Sequence, residues 1–173
     1  MRLAYKPRTR GKMADVVVIA LLGLTSAGSQ AMAAMAPEVY AEMIAAAPYH
    51  VQVQVTDRRL IPAPASGQQA EPTFDPWRGT CTLSGMIDRV FRDATNDLEI
   101  GEPISIEVPC EHEGALELVG GVIFSDVEAL AAAAYLEVIV DGPPGGPYAV
   151  AGQGKGITIM DAPSDTPVLD SQP

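Results

Sequence analysis

Alternation of apolar and polar positions dominates the middle of the chain. From His50 onward Val51, Val53 and Val55 fall on one side and His50, Gln52 and Gln54 on the other, the period of two expected of a half-buried strand. Upstream the period is different. Val39, Tyr40, Met43, Ile44 and Ala47 recur at three- and four-residue spacing between Pro37 and Pro48, which predicts a short amphipathic helix within 34–48. Its apolar stripe is expected to pack on the domain, although such a stripe can also dock a partner. Residues 61–77 are rich in proline and small polar residues and predict a loop. Further on, Ser125-Asp126-Val127-Glu128 has capping-box spacing and predicts a second short helix running to Ala134. Tyr135 to Val140, Tyr148 to Ala151 and Gly156 to Met160 predict the remaining strand segments, with a Gly- and Pro-rich turn from Asp141 to Pro147.

Two alternating runs lie between Cys81 and Cys110, and one antiparallel register suits them. It sets Cys81 opposite Cys110, Leu83 opposite Val108, Gly85 opposite Ile106 and Ile87 opposite Ile104, with Arg89 facing Glu102 and Arg92 facing Glu99. The apolar residues of both strands then share one face. Because the chain has only two cysteines, a single bridge is possible, and this register brings the sulfurs within reach of each other. Gly85 inside the first strand predicts a bulge or sharp bend.

The first residues carry Arg2, Lys6, Arg8, Arg10 and Lys12, followed by an apolar run from Val16 to Leu24. That is the layout of an export signal, and its core falls well short of the roughly 20 residues a membrane-crossing helix needs. Small residues with A-x-A spacing occur at Ala31-Met32-Ala33 and Ala34-Met35-Ala36, and the first is favoured because the second would place Pro37 directly after the cut. An uncleaved anchor is the alternative. The expected organisation is a signal peptide over 1–33, the helix over 34–48, a β domain over 49–160 and a disordered tail over 161–173. Removal of 1–33 leaves six basic residues against 21 acidic ones, a formal charge of −15. Such a surface repels phosphate backbones and anionic lipid headgroups, so neither nucleic acid nor a membrane is expected as a partner, and no stable membrane span should remain.

The element order strand, strand, strand, helix, strand, strand resembles the OB-fold, a five-stranded, partly open barrel. Within that class the segments Cys81-Thr82-Leu83-Ser84-Gly85-Met86-Ile87, Gly101-Glu102-Pro103-Ile104-Ser105-Ile106 and Tyr135-Leu136-Glu137-Val138 look similar to the netrin-like barrels that include the tissue inhibitors of metalloproteases. The resemblance implies a mainly β fold with two short helices, an OB-like barrel behind a signal peptide. It does not carry over protease inhibition, which in that family needs a free N-terminal cysteine, and no cysteine lies near the expected mature start.

Candidate chemistry is sparse. Cys110-Glu111-His112-Glu113 gathers potential metal ligands, with Glu111, His112 and Glu113 left over once Cys110 enters a disulfide; a solvated loop is the competing reading. Asp93, Thr95, Asn96, Asp97 and Glu99 crowd oxygens into one turn, yet they lack the spacing of a calcium loop and suit an ordinary hairpin turn. Gly152-Gln153-Gly154-Lys155-Gly156 has no Ser or Thr after its lysine and reads as a bulge between strand segments. His50 reads as a surface residue of its strand. No acid, base and nucleophile set converges, and no cofactor is implied. The expectation is a non-catalytic periplasmic or secreted binding module whose partner is another envelope or secreted protein, contacted by the barrel, the helix or the apolar stretch with Val119, Val122, Ile123 and Phe124. The alternative is an extracytoplasmic protein that binds a metal or small ligand at 111–113 or at the barrel mouth.

Overall fold

The computed structural model describes residues 35–65, 75–116 and 120–169. The expected signal segment lies outside these residues, as do 66–74 of the proline-rich loop, Val119 and the last four positions. What is described is mainly β, with seven strands and two α-helices. In order these are α1 (Pro37–Ala46), β1 (Tyr49–Arg59), β2 (Arg78–Asp93), β3 (Pro103–Glu111), β4 (Ser125–Asp126), α2 (Val127–Ala132), β5 (Tyr135–Asp141), β6 (Tyr148–Val150) and β7 (Ile157–Met160).

The sheet closes in a ring. β1 pairs antiparallel with both β2 and β5, β2 pairs antiparallel with β3, and β3 runs parallel to β6, which returns to β5. β6 and β7 use the same edge of β5: Val140 and Asp141 face β6, whereas Tyr135 to Val138 face β7. The glycine stretch loops out between them as a short 3-10 turn, Gly152–Gly154, so these two strands are halves of one interrupted strand. Both Gly152 and Gly154 take positive φ there, which side chains resist.

Inward-facing residues of the ring form one core. Tyr49, Val51 and Val53 of β1, Leu83 and Ile87 of β2, Ile106 and Val108 of β3 and Leu136, Val138 and Val140 of β5 are all buried in it. Val127 and Leu130 of α2 join them. That helix is capped by Asp126, whose carboxylate accepts from Ala129 N at 2.7 Å, one residue later than the capping-box pattern indicates. Ser125 instead pairs with Cys110 in the β3–β4 ladder.

The bridge between Cys81 and Cys110 is present, with Cα atoms 5.9 Å apart, but the register around it differs from the expected one. Cys81 lies opposite Val108, Cys110 opposite Gly79, Leu83 opposite Ile106 and Gly85 opposite Ile104. The sulfurs therefore join diagonal rather than directly opposed positions. A slip of two residues leaves every side chain on its original face, so hydrophobic alternation does not distinguish the two alignments. The charge pairs that favoured the first alignment do not form. Beyond Ile87, β2 leaves β3 and continues along β1, where Arg89 reaches Asp165 and the guanidinium of Arg92 donates to the carbonyls of Ile44 and Ala45. Those carbonyls end α1 and have no partner within the helix, so Arg92 closes it.

Gly85 marks a close approach. A side chain there would strike the Gln54 carbonyl and come within 2.6 Å of Val53 Cγ1. The adjoining bulge is on the neighbouring strand, at Thr56, because Val55 pairs with Gly85 and Asp57 with Ser84.

Candidate binding cleft and surrounding side chains

Where β2 parts from β3 a cleft of about 490 Å³ opens at one end of the ring. Gly85 and Ile87 of β2 and Ile104 and Ser105 of β3 contribute to it, Asp97, Leu98 and Glu102 stand on one side, and Gly145, Gly146 and Pro147 on the other. Thr56, Ser84, Pro103, Tyr148 and the 37 % exposed Met86 complete the lining.

Two buried tyrosines set the positions of the loops on either side. Tyr49 donates to Asp97 Oδ2 at 3.2 Å and accepts from the Thr95 hydroxyl at 3.0 Å, tying residues 94–102 to β1. Tyr148 accepts from Gly145 N at 3.2 Å and so fixes the 142–147 turn. Their rings meet edge to face, 5.3 Å between centroids. The Thr95 hydroxyl acts to lower the Tyr49 pKa, but burial and the adjacent Asp97 carboxylate outweigh it and raise the phenol above its ordinary value. Tyr49 thus remains a donor to Asp97.

The oxygen-rich turn is organised by Asp93. Its Oδ1 accepts from Thr95 N and its Oδ2 from Leu98 N at 3.1 and 2.9 Å, the pattern of a side-chain-closed turn. Burial acts to raise its pKa, while the amides of Leu98, Thr95 and Asn96 and the Thr95 hydroxyl lower it, and the net displacement is downward. Backbone donors therefore occupy the carboxylate that a calcium ion would need.

The side chains of the 111–113 cluster point to separate partners. Glu111 accepts from Arg78 Nε at 2.6 Å, His112 Nε2 lies 3.2 Å from the Ile61 carbonyl, and Glu113 is exposed. Among the described residues no group of three or more His, Cys, Asp and Glu has metal-holding geometry. Val122 and Ile123 are 41 % and 40 % exposed, and Phe124 lies under the Arg78 guanidinium, 4.7 Å from ring centroid to cation. Ile123 N donates to the Gln153 carbonyl, which attaches this loop to the 3-10 turn.

His50 is not a surface residue. Only 3 % exposed, its ring packs at a tilt of 59° against Phe91 and its Nε2 lies 3.0 Å from Oε1 of the fully buried Glu137. Gln52, beside it on the outer side of β1, is equally buried. Gln52 and Glu137 are bonded from outside the sheet by residues 161–169, the described part of the tail expected to be disordered, which hold a defined course there. Strand alternation does place His50, Gln52 and Glu137 on the outer face, but a covering segment leaves no periodic signal.

Comparison with protein-family models, curated proteins and solved structures returns no match for this chain. Among the described residues no helix is long and apolar enough to cross a membrane.

Proposed function

We propose that this chain is a non-catalytic exported binding module with an OB-like barrel, and that the cleft beside β2 and β3 receives a segment of another envelope or secreted protein. The observation that carries the reading is the cleft itself, with flanking loops anchored by Tyr49 and Tyr148 and a lining of aliphatic side chains, prolines, hydroxyls, glycines and two acids that contains no histidine, cysteine or lysine. Such a surface can hold a ligand in place but offers no evident base and nucleophile pair for turning it over. Its acids favour a neutral or basic segment.

The OB-like reading is supported by the closing order β1-β2-β3-β6-β5 back to β1, by the parallel contact between β3 and β6, and by α2 lying between β3 and β5. Counting interrupted β6 and β7 as one strand leaves five in the ring, apart from the two-residue β4. Export is supported by the basic and apolar N-terminal pattern and by the disulfide, which persists in oxidising compartments. The metal alternative has weaker support, since Arg78 already engages Glu111.

The test is affinity capture from envelope and culture-medium fractions with the wild-type chain and with Ser105→Arg, which fills the cleft. A protein retained by the first and lost with the second is expected. Retention that is equal for both chains would sink the assignment to this cleft. Intact mass of the exported form, with and without reductant, should locate the cut after Ala33 and add two hydrogens on reduction.

A further inference from the structure

Residues 161–169 form a strap over the outer face of β1 and β5. At its centre Gln52 acts as a two-sided clamp: Ser164 N donates to Gln52 Oε1 at 3.1 Å, and Gln52 Nε2 donates to the Ser164 carbonyl at 3.4 Å. That carbonyl also accepts from Arg89 Nε, and Arg89 pairs with the exposed Asp165. Farther along, Val168 N and Leu169 N both donate to the Glu137 carboxyl, at 2.7 to 2.9 Å. Leu169 then packs with Ile44 against the small apolar cluster of Ala47, Ile139 and Ala151.

This arrangement differs from that of a structural element. No strap residue from 161 to 169 is itself buried, although the strap bonds two fully buried polar side chains, Gln52 and Glu137. Pro163 and Pro167 lack the N–H needed for a strand ladder, so the segment is held mainly by side-chain clamps on its backbone. If the strap lifted, Gln52 and Glu137 could exchange its backbone groups for water, whereas an apolar face would pay the full cost of exposure. Backbone clamps combined with one apolar socket are the means by which peptide grooves obtain affinity and selectivity.

We propose that the outer face of β1 and β5 is a docking groove for an extended segment of another protein, occupied in this structure by the chain's own strap. The fitting segment presents the strap's chemistry: a residue whose backbone N–H and C=O meet the Gln52 clamp, an acid immediately after it for Arg89, and an aliphatic residue five positions beyond the clamped one for the Leu169 socket. Its backbone amides before the socket meet Glu137. The groove shares no residue with the lining of the β2–β3 cleft, so either site can fail without the other.

The probe is a fluorescent peptide of residues 161–169 titrated into the full chain and into the full-chain variant Val168→Pro, which deletes one Glu137 donor from the tethered strap. A tethered competitor lowers apparent affinity by the fraction of time it leaves the groove open. The variant should therefore bind the peptide at least about tenfold more tightly than wild type, and adding Glu137→Ala to the variant should abolish that gain. Equal affinity for wild type and Val168→Pro overturns the proposal. Hydrogen exchange on the unmodified chain gives a second reading, in which the Val168 and Leu169 amides should exchange at least about 100-fold faster than those of Leu136 and Val138. Exchange of all four at one common rate would make the strap part of the global folding unit and overturn the groove. A concentration-dependent dimer with straps exchanged between copies would assign the groove to a second copy of this chain and overturn the foreign segment.

Discussion

Leu136 and Glu137 are neighbours on β5 and neither is exposed to solvent, yet they are buried in different ways. Leu136 points into the ring and is surrounded by apolar side chains, while Glu137 points outward, beside His50 of β1, and is covered by a strap that meets it through two amides. Burial alone does not separate them. The inner site depends on the folded ring, whereas the outer one has polar partners that water can replace. Equal exposure can therefore accompany very different energetic consequences.

The largest effect should come from the inner side, where Leu136→Ala is expected to cost about 4 kcal/mol through lost transfer energy and a residual cavity. Urea unfolding measures it. Reducing the Cys81–Cys110 bridge, which closes a loop with a sequence separation of 29, should cost about 3 to 4 kcal/mol. The same titration with and without reductant reads that difference. On the outer side Glu137→Ala should cost only about 1 to 2 kcal/mol, because the freed His50 and strap amides gain water. A loss equal to that of Leu136→Ala would erase the distinction between the two faces.

The smallest effect concerns the turn on Asp93, where Asp93→Asn should cost about 1 kcal/mol by weakening the side-chain closure. Since the folded-state pKa of Asp93 lies below its ordinary value, its contribution is full above the unfolded carboxylate pKa. It is lost as pH falls through the lowered folded value. Urea unfolding of wild type and Asp93→Asn should differ above the ordinary carboxylate pKa and converge as pH falls below the lowered folded value.

Much of the inner side was legible in the sequence. Alternation through Val51 and Val53 and through Leu83 and Ile87 identifies strands with a buried face, and the cysteine pair is the only bridge possible. The register was not fixed by the same signals, because a two-residue slip preserves alternation and the apparent Arg89–Glu102 and Arg92–Glu99 pairs belong to a hairpin that β2 leaves after Ile87. The turn at Asp93 was recognisable from its residue types. The cleft was not, since the two tyrosines whose rings meet and which anchor its loops lie 99 residues apart in the chain. On the outer side, the contacts that enclose Gln52 and Glu137 are largely backbone groups of the tail, and backbone groups carry no sequence-specific signature.

The disulfide has a consequence for survival among proteases. Cys81 and Cys110 bracket the exposed turn at 94–97 and the loop that follows it to Glu102, so a peptide bond cut there leaves both fragments joined through sulfur. A nicked molecule would keep its full mass, apart from one added water, until a reductant separated the pieces.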